Sequence, residues 1–183
     1  RRWIVDPLDG TSNFLHGIPH WAISIALEYK KEIVIGLIYD PVRDECYVAE
    51  KGNGAWLNEK RLRVSGRETM LEMLFATGIP FANKDGLPAT LKEIHDLMPR
   101  CSGLRRNGAA ALDLAYVAAG RLDGYWERGL NSWDLAAGLL LVREAGGLVS
   151  SLEGDPDPLL SGSVIAASTK IFNEFSNILL GSS

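Results

Sequence analysis

Asp6 and Asp9 stand three positions apart across a Pro7-Leu8 corner, directly after the apolar run Trp3-Ile4-Val5 and directly before Gly10-Thr11-Ser12. A short β-branched run stopped by proline reads as a buried strand ending at Asp6. Two carboxylates then emerge at the strand's carboxyl end. A tight bend can turn both side chains and the Leu8 carbonyl toward one point, an all-oxygen set suited to a hard cation such as Mg²⁺. Gly10 permits close backbone approach, and the Gly10 and Thr11 N–H groups would open a short helix at Ser12-Asn13-Phe14 with donors aimed at an anion. The same residues read equally well as an Asp-Gly turn with Thr11 or Ser12 capping a helix.

A second pair of acids lies downstream. Glu127 ends the strand Leu122–Glu127, and Asp134 falls in the first turn of a helix that opens at Ser132-Trp133-Asp134-Leu135, so both can face one crevice. The plainer alternatives are a surface strand residue and an acid favourably placed on a helix dipole. Ser132 reads as the N-cap, Gly146-Gly147 as the stop, and Trp133 as core packing.

These residues need elements to hold them. Trp21–Leu27 and Ile33–Tyr39 read as antiparallel strands around the Lys30-Lys31 turn, followed by short strands at Cys46–Ala49, Ala55–Leu57 and Leu62–Val64, the last after an Asn58-Glu59-Lys60 turn. Met73–Thr77 reads as a buried strand and Leu87–Leu97 as a helix. That helix has Leu91, Ile94, Leu97 and Met98 on its apolar face and Lys92, Glu93 and Asp96 outward. Asn107-Gly108 leads into a small-residue helix, Ala109–Ala119, whose alanines suit tight helix packing. Val164–Ala167 is a last strand, and a helix runs from Lys170 to about Leu180. Strands first and alternating elements later predict two sheet layers in one α/β globule.

Composition sets the bounds. The chain has 183 residues, 46% hydrophobic and 23% charged, which fits one domain with a sizeable core. Its formal net charge of -4, without a basic stripe, disfavours nucleic acid and anionic membranes as main partners. No apolar stretch is long enough to span a bilayer and no signal-peptide pattern opens the chain, which predicts a cytoplasmic protein. Cys46 and Cys101 have neither disulfide nor zinc-ligand spacing. His16, His20 and His95 are scattered and read as structural or surface residues, and Asp155 and Asp157 as solvated turn residues.

Taken together, Asp6-Pro7-Leu8-Asp9-Gly10-Thr11 and Trp133-Asp134-Leu135-Ala136-Ala137-Gly138 resemble the two signatures of the inositol monophosphatase family. The resemblance continues through Gly108-Ala109-Ala110, Glu127, Glu144-Ala145-Gly146-Gly147 and Val164–Ala167, and the Leu112–Arg121 segment is most similar to the bacterial branch. It implies a layered α/β/α/β/α sugar-phosphatase fold over a single domain, 1–183, two or three Mg²⁺ ions, Li⁺ sensitivity and a homodimer. It further implies that Asp6, the Leu8 carbonyl, Asp9 and Asp134 bind metal, that Gly10 and Thr11 hold phosphate, and that Gly108, Ala110, Glu127 and Asp134 contact a sugar alcohol. Asp6, Asp9, Thr11 and Asp134 would be the catalytic set. The implied reaction is hydrolysis of a phosphate monoester, inositol 1-phosphate first, by metal-activated water. Fructose-1,6-bisphosphatase and nucleotide 3′-phosphatase are alternatives on the same scaffold, and a regulatory binding protein with little catalysis is an alternative of another class.

Two departures stand out. The family carries a further acidic motif and N-terminal helices upstream of the opening strand, whereas this chain begins at Arg1-Arg2 without an initiator Met. The expectation is the C-terminal part of a longer protein, or a chain from which earlier residues were lost or omitted. Ala109 also stands where relatives often carry Ser or Thr, which bears on substrate more than on chemistry.

Overall fold

Residues 2–61, rich in Ile, Val and aromatic side chains between polar turns, form a six-stranded antiparallel meander. Its strands are β1 (Arg2–Asp9), β2 (Ala22–Tyr29), β3 (Glu32–Asp40), β4 (Glu45–Glu50), β5 (Gly54–Leu57) and β6 (Lys60–Arg61), in that spatial order. The computed structural model describes residues 1–79, 86–154 and 157–181. A second, five-stranded sheet is mixed: β7 (Leu74–Thr77), β8 (Gly103–Arg105), β9 (Gly124–Arg128), β10 (Gly147–Ser150) and β11 (Ser163–Ser168) lie in the order β10-β11-β9-β7-β8. β7 runs parallel to β8 and β9, and the remaining pairs are antiparallel.

Two helices fill the space between the sheets, α3 (Ala110–Ala118) and α4 (Ser132–Glu144). Their small side chains allow very close packing. A Cβ on Gly138 would lie 2.5 Å from Leu114, and one on Gly36 of β3 would lie 2.8 Å from the Ala137 carbonyl. The main core cluster is built here, from Ile38, Tyr47, Leu112, Leu114, Leu135, Leu139 and their neighbours. A second core, with Phe75 stacked on Phe175 and Trp126 edge-on to Phe175, lies between the mixed sheet and the helices α2 (Leu87–Leu97) and α6 (Phe172–Leu180). The described layers are therefore β/α/β/α, as the layered α/β expectation requires.

Several local expectations are corrected. β1 does not end at Asp6, and it is not a buried strand: it runs to Asp9, and Trp3 and Val5 face solvent while Ile4 is buried. No strand forms at the expected Leu62–Val64: Asn58 takes the left-handed conformation (φ 50°) and closes a tight turn with Glu59, and the returning strand is the two-residue Lys60–Arg61. α2 is rotated from the expected face: Leu91 and Met98 are exposed, while Thr90, Glu93 and Leu97 are buried. Glu93 can be interior because the Trp126 indole and the Arg128 guanidinium both donate to it, each at 2.9 Å. Trp133 is half-exposed rather than core, and α4 is capped by Asn131, one residue before Ser132. The strands β8 and β10 and the one-turn helix α5 (Pro158–Ser161) had no counterpart in the sequence reading. Asp157 caps α5 by accepting the Leu159 N–H, whereas Asp155 lies outside the described residues.

Candidate metal and phosphate site

The site begins with a defect in β1. Asp6 pairs opposite Ser24 and Asp9 opposite Ala22, so three steps along β1 match two along β2. Residues three apart on a regular strand point to opposite faces. The one extra residue is a β-bulge that resets the alternation and lets both carboxylates turn to one side. Pro7, with no N–H to give, sits in the interrupted stretch of the ladder where none is needed.

Asp134 reaches the same point from α4. Carboxylate oxygens of Asp6, Asp9 and Asp134 lie within 4.8 Å of one another, the one cluster of potential metal ligands among the described residues. Each is held by a backbone N–H: Asp6 Oδ1 accepts from Leu8 at 2.9 Å, Asp9 Oδ2 from Ala111 at 2.8 Å, and Asp134 Oδ2 from Asn131 at 2.7 Å. The Leu8 carbonyl accepts the Thr11 hydroxyl at 2.8 Å. Thr11 opens α1 (Thr11–Leu15), one residue before the expected Ser12. Gly10 turns the chain with φ 83°, and a Cβ there would lie 3.0 Å from the His20 carbonyl, so the corner requires glycine.

Beside this cluster is a cleft of about 240 Å³ lined by Asp9, Gly10, Thr11, Gly108, Ala110, Glu127 and Asp134, together with Gly78 and Arg106. Asp6 and Leu8 do not line it; Asp6 joins the site through the carboxylate cluster and Leu8 through its carbonyl's hydrogen bond from Thr11. A larger groove of about 630 Å³ between α2 and α6, with Lys92, Asp96, Arg100 and Glu174, lacks such a carboxylate cluster.

Charge is concentrated and poorly solvated here. Burial pushes the Asp9 carboxyl up to about 7, with the Asp134, Asp6 and Glu127 charges adding to the effect and the Ala111 N–H opposing it. Glu127 is also raised to about 7, chiefly by burial, against the Tyr125 hydroxyl it accepts and the nearby Arg106. Burial raises Asp134 as well, opposed by the Asn131 N–H. A cation among Asp6, Asp9 and Asp134 would offset what burial and mutual repulsion cost, and hard oxygen donors suit Mg²⁺. The residues present fit the ion.

Sequence reasoning missed three contributors. Gly78 follows β7 and makes room for Glu127: a Cβ at Gly78 would fall about 1.8 Å from that carboxylate. Arg106 enters the cleft, and Asn13 is buried with its side-chain amide donating to both the His20 and Asn107 carbonyls at 2.8 Å. Asn107 in turn donates to the buried Asp113 at 2.6 Å. The only signal for Asn13 is its place inside the opening motif; for Gly78 and Arg106 there was none, because their partners lie far along the chain.

Fold and site together define a layered α/β protein with an acidic cleft between a bulged strand and the starts of two helices. The sequence matches the profile of the inositol monophosphatase family over residues 1–179, and the chain belongs to that family. An inositol-1-monophosphatase of Mesorhizobium japonicum is 55% identical over 170 residues, covering 93% of this chain and 64% of that protein. The Nus factor SuhB of Pseudomonas aeruginosa is 52% identical over 172 residues, again 93% of this chain and 64% of that protein. The crystal structure of the extragenic suppressor protein suhB from Bartonella henselae superposes with a TM-score of 0.95 at 50% identity, over 100% of this chain and 71% of that one. The chain thus spans just under two thirds of the length of the first two relatives.

Proposed function

We propose that this chain carries the metal- and phosphate-binding wall of a Mg²⁺-dependent phosphate-monoester hydrolase, with inositol 1-phosphate as substrate and residues 1–183 belonging to one domain that works as a homodimer. The observation that supports it most is the convergence of the Asp6, Asp9 and Asp134 carboxylates within 4.8 Å beside the Gly10-Thr11 corner. A phosphate monoester dianion at about 4 Å from such carboxylates, with an effective dielectric near 20, is repelled by about 4 kcal/mol per unit charge pair. Bound at Asp6, Asp9, Asp134 and the Leu8 carbonyl, two or three Mg²⁺ ions would supply Lewis acidity at the phosphoryl group and activation of water.

The chain's own groups do the rest. The Gly10 and Thr11 amides border the cleft and orient the phosphate, and the Thr11 hydroxyl, which donates its hydrogen bond to the Leu8 carbonyl, keeps lone pairs that accept a hydrogen bond from the attacking water and orient it. Glu127 and Asp134, with the backbone at Gly108 and Ala110, orient the polyol. Asp9→Asn or Asp134→Asn in the full-length protein is expected to lower phosphate release from inositol 1-phosphate by at least about 100-fold with the circular-dichroism spectrum retained. Turnover within twofold of the unmutated protein would refute the assignment. A panel with fructose 1,6-bisphosphate and a nucleoside 3′-phosphate separates the related hydrolases.

A regulatory binding role is the second reading, supported by the Pseudomonas aeruginosa relative, whose name denotes a factor rather than an enzyme. It predicts that the Asp9→Asn protein still performs its role in cells, while the hydrolase reading predicts loss.

A further inference from the structure

The cleft lining carries two kinds of charge: the Asp9 and Asp134 carboxylates of the metal cluster and Glu127, and a single cation, Arg106, close enough to Glu127 to act on its charge. Glu127 and Arg106 each depend on a missing side chain. A Cβ on Gly78 would fall about 1.8 Å from the Glu127 carboxylate, and a Cβ on Gly108 would lie 2.6 Å from Nη1 of Arg106. Two glycines on separate segments therefore leave room for one acid and one guanidinium in the same small volume. Gly108 also has φ 85°, so a side chain there is disfavoured on backbone grounds too.

A donor beside an acceptor is matched to a neutral vicinal diol, in which one oxygen accepts while the adjacent hydroxyl donates. It is poorly matched to a second phosphate, which the half-buried Glu127 would repel. The charge of Arg106 acts on Glu127 directly, drawing its carboxyl downward against the effect of burial. A planar guanidinium also offers several donors in a fixed fork, which fixes orientation as well as distance.

We infer that Arg106 is a substrate-orienting residue that grips, together with Glu127, two adjacent oxygens of a cyclic polyol phosphate, and so selects polyol monophosphates over phosphate esters without hydroxyls. This rests on the hydrolase reading above.

The test compares kcat/KM for inositol 1-phosphate with kcat/KM for 4-nitrophenyl phosphate in the full-length protein with saturating Mg²⁺. In Arg106→Ala the ratio of the two is expected to fall about tenfold, carried by a higher KM for inositol 1-phosphate, as loss of a charged hydrogen bond implies. Arg106→Lys, scored by the same ratio, keeps the charge but not the fork and is expected between the two; it covers the case in which the alanine variant does not fold. A ratio within twofold of the unmutated protein in both variants overturns the proposal. An unmutated protein inactive on both esters overturns the hydrolase reading itself, a result distinguishable from an unaltered ratio.

Discussion

At the scale of residues, the cleft is shaped as much by absent side chains as by charged ones. Gly78→Ala adds one methyl at a point occupied by the Glu127 carboxylate, the movable end of a side chain rather than backbone. The expected outcome is a displaced Glu127, a several-fold higher KM for inositol 1-phosphate, and a melting temperature within a few degrees of the parent, read by steady-state kinetics and thermal denaturation. Of the site, the sequence displayed the acids and the Gly10-Thr11 corner because their spacing is local. Arg106 and Gly78 were illegible because each matters only through a partner brought near by folding: Gly78 and Glu127 meet only because β7 and β9 pair in parallel.

At the scale of elements, a single buried amide joins the opening motif to the loop before α3. Asn13 donates from α1 to the carbonyls of His20 and Asn107, and Asn107 continues to Asp113. Asn13→Ala leaves two carbonyls without that donor, at about 1–3 kcal/mol each. Both hydrogen bonds are only partly buried, so a fall in the lower part of that sum, about 2–4 kcal/mol in unfolding free energy, is expected from urea denaturation with an unchanged m-value; a change below about 0.5 kcal/mol would show that the loop holds its place without it. Long periodic elements were legible: α2 runs over Leu87–Leu97 as its sequence predicts, and α3 and β11 differ from expectation only at their ends. The rotation of α2 was not legible, since hydrophobicity alone places Glu93 outward and only Trp126 and Arg128 from β9 make its burial acceptable. β8 and β10 have three and four residues, too few to show a period, and β10 starts on the glycine that reads as a helix stop.

At the scale of the whole molecule, the site sets how stability depends on pH. Burial holds the Asp9 and Glu127 carboxyls up at about 7 in the folded chain, against ordinary values of 3.8 and 4.5. The folded state therefore binds more protons than the unfolded state between those limits, so the stability linked to these groups is full at pH 4 and lost as pH rises through about 7. Asp113, buried and raised well above its ordinary range, acts in the same direction. His20, lowered from 6.5 mainly by burial, acts in the opposite direction below that pH, one imidazole against several carboxyls. Without divalent cations the melting temperature is expected to be lower at pH 8 than at pH 5.5. Millimolar Mg²⁺ is expected to raise it more at pH 8, where the carboxylates are ionised. Equal Mg²⁺ shifts at both pH values in differential scanning fluorimetry would refute this coupling.

The three backbone anchors of the cluster have one more consequence, which concerns denticity. Leu8 in the bulge, Ala111 at the start of α3 and Asn131 at the cap of α4 each occupy one oxygen of Asp6, Asp9 and Asp134 respectively. Each N–H engages one lone pair and fixes the rotation of its carboxylate, which favours the other oxygen as the ligand atom. A large cation that completes seven or eight positions with bidentate carboxylates gains little from such a set, whereas a small octahedral ion that retains several waters is served by it. Mg²⁺ is therefore expected to raise the melting temperature more than Ca²⁺ at equal concentration, read by differential scanning fluorimetry.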